Sequence, residues 1–259
     1  MPMAAPASHR PAALGLIPAR FASTRLPGKP LLDRTGKTLI QHVVENARRC
    51  SCLQRVVVAT DDVRIRDAVV AFGGEAVMTG EHPNGTSRLA EALTILGDTH
   101  AIIVNVQGDE PEVEPALLDA LVQGMADDPD AAMATLYAPF GEDEDPANPN
   151  IVKVIKDQRD RALYFSRSLI PFDRDGQRPQ RFKHPGLYAY RRDFLLAYPT
   201  LAPTPLEEAE KLEQLRVLEH GYAIKLIAAP PGVLPKAGID TPQQYDDFVA
   251  RRQAVTHRP

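Results

Sequence analysis

The chain has 259 residues, 44% of them hydrophobic and 25% charged, with a formal net charge of −4. That is enough apolar material for one large α/β domain, or for a main domain with a small insertion. It excludes a global basic field that would draw the chain to nucleic acid, and no run approaches the roughly 18 apolar residues of a membrane span.

Residues 1–13 are rich in Ala and Pro without an apolar stretch, which predicts a flexible leader rather than a signal peptide, followed by a single domain over 14–259. Residues 14–18 read as a first buried strand, and 39–49 as an amphipathic helix with Ile40, Val43, Val44 and Ala47 on one face. Cys50 and Cys52 follow in a C-x-C arrangement without histidines at zinc spacing. They are expected to be free thiols in a reducing, cytoplasmic setting. The valine-centred run 55–60 predicts a second strand, 63–72 a helix capped by Asp61 or Asp62, and 76–78 a short third strand. A helix over 87–96, a strand over 101–106, a Pro-led helix over 115–125 and a strand over 132–137 complete the alternation. Near-continuous apolar strands separated by helices predict a doubly wound, mostly parallel α/β sheet, with ligands beyond the carboxyl ends of its strands.

The pattern changes after Pro139. Segments 152–156, 162–166 and 186–190 read as β structure between polar, Pro-rich loops, predicting a small inserted β subdomain at about 146–190. A helix over 206–218, a strand over 223–228 and a last helix over 243–251 close the chain.

Three cations, Arg20, Arg25 and Lys29, stand in the loop after the first strand, bent back by prolines and a glycine. Guanidinium forks and an ammonium converging there suit a triphosphate. Gly36-Lys37-Thr38 is not a Walker A tail, because that pattern needs glycine where Leu31 stands, and no G-x-G-x-x-G follows the first strand. Asp109 ends the fourth strand in Gln107-Gly108-Asp109-Glu110, where a carboxylate facing the cation loop suits magnesium. Glu110 reads as structural. Asp240 is the candidate partner. Thr241, Pro242 and Gln244 form a capping box of their own, which frees Asp240 for another role, although a plain helix-start acid also fits. Gly85-Thr86 opens a helix whose N–H groups face an acceptor or simply cap. Glu210, Glu213 and Gln214 share one face of the helix read at 206–218, as a solvated surface or a polar site wall.

The string IPARFASTRLPGKPL resembles the signature of the 3-deoxy-manno-octulosonate cytidylyltransferases, and the similarity runs from about Leu14 to Phe248. The resemblance implies a nucleotide-diphospho-sugar transferase-like fold. The implied reaction transfers CMP from CTP to the anomeric hydroxyl of 3-deoxy-manno-octulosonate, for lipopolysaccharide assembly. It implies magnesium on Asp109 and Asp240, and catalytic parts for Arg20, Arg25 and Lys29. Pro18, Ala19, Arg20, Arg25, Lys29, Gly85, Thr86, Arg88 and Gln107 become nucleotide contacts. Asn84 and Ser87 depart from the family's S-G-T-[DE]-R. Tyr164-Phe165-Ser166-Arg167 and His184-Pro185-Gly186-Leu187-Tyr188 match family stretches, so Arg167, His184, Tyr188, Glu213, Gln214 and Gln107 are implied sugar contacts. A homodimer through the β subdomain is implied as well. The rivals are a CMP-sialic acid synthetase, a non-catalytic nucleotide sensor and a glycosyltransferase, the last without its usual D-x-D loop.

Overall fold

The structure, a computed structural model, describes residues 11–22, 25–233, 236 and 238–256. Residues 1–10 of the expected leader, and Ser23 and Thr24 of the cation loop, lie outside the described residues.

Strand β1 (Ala13–Ala19) leads through the cation loop to α1 (Leu39–Ala47), β2 (Leu53–Thr60), α2 (Val63–Ala71), β3 (Glu75–Met78), α3 (Gly85–Leu96), β4 (Ile102–Asn105), α4 (Pro115–Asp127) and β5 (Met133–Pro139). Then come β6 (Lys153–Lys156), β7 (Ala162–Ser166), β8 (Phe182–Lys183), β9 (Tyr188–Arg191) and α5 (Arg192–Ala197). The chain continues through α6 (Pro205–Glu210), α7 (Glu213–Glu219), β10 (Ile224–Ala228) and α8 (Pro242–Thr256).

The sheet runs β3-β2-β1-β4-β9-β5-β8-β6-β7, with β10 paired to β5. The β3-β2-β1-β4 run and the β5–β10 pair are parallel. Alternate strand residues feed two cores. Ile17 and Val58 pack with Val43, Val44, Leu117 and Leu118 on one face, and Leu14, Leu16 and Val57 pack with Leu89, Leu93 and Leu215 on the other. Each fully buried aliphatic side chain contributes about 1.5–3 kcal/mol, so the two faces together hold the sheet in place. This is the doubly wound α/β arrangement expected from the apolar strands.

Two expectations change. The segment 186–190, read as part of the insertion, supplies β9, which lies antiparallel between β4 and β5 in the main sheet. The inserted β layer is therefore β6, β7 and β8, joined to the end of β5. The helix read as continuous over 206–218 breaks in two. Lys211 adopts φ 53°, ψ 50° and ends α6, and Leu212 precedes α7. That break cancels the shared face of Glu210, Glu213 and Gln214. Glu210 turns away to accept hydrogen bonds from Ser166 Oγ and Arg167 N. Arg216 of α7 ties back to Glu207 of α6 through two 2.7 Å bonds, which holds the elbow shut.

Asp62, not Asp61, caps α2, accepting from Arg64 N. Both cysteines are buried and outside any disulfide, and Cys50 donates to Asp119. No described helix is long and apolar enough to cross a membrane.

Candidate active site

Two cavities of about 400 Å³ and 390 Å³ open side by side beyond the carboxyl ends of β1 and β4. They share Gly85, Gln107, Asp109, Glu213 and Asp240.

The first is lined by cations. Pro18, Ala19, Arg20, Arg25 and Lys29 come from the loop after β1, and Gly85 and Arg88 from the start of α3. Gly28 makes the bend, at φ 66°, a conformation that favours glycine. Gly108 brings the two loops together. A Cβ there would stand 2.5 Å from Pro18 O, so only glycine admits this approach. Asn84 caps α3 by accepting from Ser87 N at 2.8 Å, so the departure from the family pattern keeps a working N-cap. Arg88 is buried and spans Thr79 Oγ1 at 2.7 Å and Asp61 Oδ2 at 2.6 Å, which fixes the floor of this cavity. Thr86 lines the second cavity rather than this one.

Lys29 stands where the cavities meet. Its ammonium donates to Asp109 Oδ2 at 2.9 Å and Asp240 Oδ1 at 3.1 Å, and Arg25 pairs with Asp240 Oδ2 at 3.1 Å. Two carboxylates 131 residues apart in sequence thus converge on one cation-sized point. Ile239 N donates to Asp109 O at 2.8 Å and holds the segment in place. The box of Thr241 and Gln244 forms as expected, and Gln244 Oε1 also takes Asp240 N, so the Asp240 carboxylate is free of capping duty. Two anions and two cations balance within this cluster, while Arg20 is exposed and pairs with no carboxylate among the described residues. Among the described residues no group of three or more His, Cys, Asp or Glu gathers as a metal cage. A divalent ion on Asp109 and Asp240 would complete its shell with phosphate and water oxygens, the habit of magnesium.

The second cavity is lined by aromatic and amide groups. Tyr188 and Tyr190 come from β9, whose register sets Tyr188 opposite Asn105 and Thr135 in the flanking strands. Tyr198 comes from the turn after α5, and Glu213 and Gln214 from the first turn of α7. Thr86 Oγ1 donates to Glu213 Oε2 at 3.1 Å, and burial raises the Glu213 pKa above the usual carboxylate range. Gln107 is fixed between the cavities by donating to Gly186 O at 2.8 Å. Glu110 also lines this cavity, and burial together with the Asp109 charge pushes it up to about 8.

His184 lies one layer behind the wall and lines neither cavity. Thr135 Oγ1 donates to Leu187 O at 2.7 Å, so it accepts from His184 Nε2 at 2.9 Å. The proton therefore sits on Nε2, and Nδ1 faces the Gln214 amide nitrogen at 3.5 Å. Gln214 Oε1 in turn accepts from Tyr188 at 3.4 Å. Burial lowers the His184 pKa to about 3, so the ring is neutral and orients Gln214. Arg167 is also outside both cavities. Its guanidinium donates to Glu210 O and Pro149 O at 2.8 and 3.1 Å. The remaining residues singled out from sequence are brought together. Sequence reasoning missed Asn105, Tyr190 and Tyr198 and gave Glu110 a structural part. A polar Asn at the end of an otherwise apolar buried strand was the available signal.

The chain is similar to known proteins along most of its length. The cytidylyltransferase family profile matches residues 14–227. The chain is 50% identical over 240 residues to a 3-deoxy-manno-octulosonate cytidylyltransferase of Syntrophobacter fumaroxidans, covering 91% of this chain and 95% of the relative. It is 49% identical over 238 residues to the enzyme of the same name from Syntrophotalea carbinolica, covering 88% and 93%. A solved structure of a CMP:2-keto-3-deoxy-manno-octonic acid synthetase complexed with CTP superposes with a TM-score of 0.88 at 44% identity, covering 94% of this chain and 99% of that one.

Proposed function

This chain belongs to the cytidylyltransferase family, and from that membership we propose that it transfers CMP from CTP to 3-deoxy-manno-octulosonate. The observation that carries the proposal is the convergence of Asp109 and Asp240 on one point, where a cation-lined cavity meets an aromatic one. A triphosphate and a sugar acid need such adjoining pockets, because the reacting atoms must meet at the shared wall.

The anomeric hydroxyl oxygen of the sugar attacks the α-phosphorus of CTP. A new P–O bond forms, the bond to the bridging oxygen breaks, pyrophosphate leaves with its electron pair, and the hydroxyl proton passes to water. Arg20, Arg25 and Lys29 hold the triphosphate and offset charge growing on the leaving group. Gln107, Tyr188, Glu213 and Gln214 hold the sugar and orient its hydroxyl. Magnesium held by Asp109 and Asp240 would supply Lewis-acid charge at the phosphates and lower the pKa of the attacking hydroxyl. Arg88 fixes the turn that bounds the nucleotide, and His184 and Arg167 act from behind the site. The reaction belongs in the cytoplasm, where CTP is made. A homodimer through the β layer fits the exposed Leu163, Leu169 and Phe172 there, and sedimentation velocity tests it.

Pyrophosphate release is the test. Release with CTP, 3-deoxy-manno-octulosonate and magnesium is expected, with little release when UTP replaces CTP or sialic acid replaces the sugar. No release from the correct pair overturns the proposal.

A further inference from the structure

The aromatic-lined cavity adjoins the cation-lined cavity through Gln107, Asp109 and Asp240. Asn105, Met133, Tyr198 and Val217 line the aromatic cavity and not the cation-lined one. Asn105 and Tyr198 are 4% and 1% exposed, yet Asn105 Oδ1 and the Tyr198 hydroxyl have no hydrogen-bond partner within the protein. Leaving a buried polar atom unpaired is costly, and folded proteins seldom do so without something to fill the bond. Here the two residues that carry such atoms line the same cavity, together with Met133 and Val217. An acceptor oxygen, a hydroxyl able to donate, and a methylene-sized apolar wall together describe a primary alcohol.

We infer that the part of the cavity bounded by these four residues lies away from the shared wall and is a recognition subsite for the terminal hydroxymethyl group of the sugar acid, with Asn105 and Tyr198 as specificity-determining residues. The inference rests on the cytidylyl-transfer reading above. An octulosonate has eight carbons and reacts at carbon 2, its anomeric centre. That centre must lie at the shared end, beside Asp109 and Asp240, for its hydroxyl to reach the α-phosphate. Carbon 8 is the atom with the longest reach away from it. Asn105 Oδ1 accepts the carbon-8 hydroxyl proton, and the Tyr198 hydroxyl donates to that hydroxyl's oxygen. Met133 and Val217 cover the methylene. An acceptor without this hydroxyl leaves both protein atoms unpaired, so the pocket discriminates against it.

The test is a two-by-two comparison of kcat/KM at saturating CTP. Wild type and Tyr198→Phe are each assayed with 3-deoxy-manno-octulosonate and with its 8-deoxy analogue. Wild type is expected to lose about tenfold on the analogue, the scale of one buried hydrogen bond left unmade. Tyr198→Phe is expected to lose about tenfold on the parent sugar and to show little further loss on the analogue. The KM for CTP should stay put, and the thermal midpoint should hold or rise, because the substitution removes an unpaired hydroxyl. Asn105→Ala, read the same way, gives an independent second arm. Losses that multiply, so that each variant is equally impaired on both sugars, overturn the subsite and leave a structural or water-binding part for these residues. A wild type that releases pyrophosphate equally fast with both sugars overturns it too. A wild type that releases none with the parent sugar overturns the transfer reading, and this inference with it.

Discussion

The two cavities recognise their contents by opposite means. The cation-lined one is built from charged side chains set on loops, with Arg20 and Arg25 both exposed. The aromatic one is built by burial. Its wall raises Glu213 and Tyr188, lifts Glu110 to about 8, and keeps His184 behind it near 3. In each of these groups burial favours the neutral form. One pocket grips charge, and the other counts hydrogen bonds in a dry place. Lys29 and the two aspartates form the seam between them.

Substitutions should separate the two halves. At the seam the loss should be largest. Asp109→Asn and Asp240→Asn should each cut turnover by about 10³-fold or more while the fold survives, measured as pyrophosphate release across a magnesium titration. An active Asp109→Asn protein would remove the metal assignment. On the cationic side, Lys29→Ala should lower kcat by roughly 10²–10³, the scale of one preorganised electrostatic contact. Near-normal kinetics would take Lys29 out of the mechanism. On the dry side, Gln214→Met should raise the KM for the sugar about tenfold and leave the KM for CTP unchanged. If both constants rose together, the division between the pockets would fail.

The smallest effect concerns stability and pH. His184 has a folded pKa of about 3 against 6.5 for an exposed histidine. Between those values the unfolded chain binds a proton that the folded one refuses, so stability falls as pH drops through that window, by about 1.4 kcal/mol per pH unit. His42, lowered to about 4 chiefly by burial, adds a parallel slope. His184→Gln should shrink the stability lost between pH 7 and pH 5 by about 1–2 kcal/mol, read from urea unfolding at the two values. An unchanged pH dependence would mean that the ring is not held neutral.

The cationic half was legible in the chain because it is local. Arg20, Arg25 and Lys29 lie within ten residues of one another after a plainly apolar strand. Asp240 was legible for a different reason. Thr241 and Gln244 account for the helix start, leaving its carboxylate unexplained until Lys29 is seen beside it. The aromatic half was legible only in part, because it is assembled across the sheet. Nothing local shows that Tyr188–Arg191 slots between β4 and β5, since strand pairing over some 50 to 90 residues leaves no periodic trace. The break at Lys211 hid equally well, because a left-handed residue is usually announced by glycine and here is lysine. With the break unseen, Glu210 looked like a neighbour of Glu213.

The close approach at Gly108 has a consequence for how this site tolerates change. The spacing between the loop that carries the cations and the loop that carries Asp109 is set by a missing methyl group, since a Cβ would press against Pro18 O at 2.5 Å. Position 108 thus works as a gauge block. It offers no functional group, yet a single added carbon would shift the registration of both loops together, and every alignment across the seam would drift by the same amount.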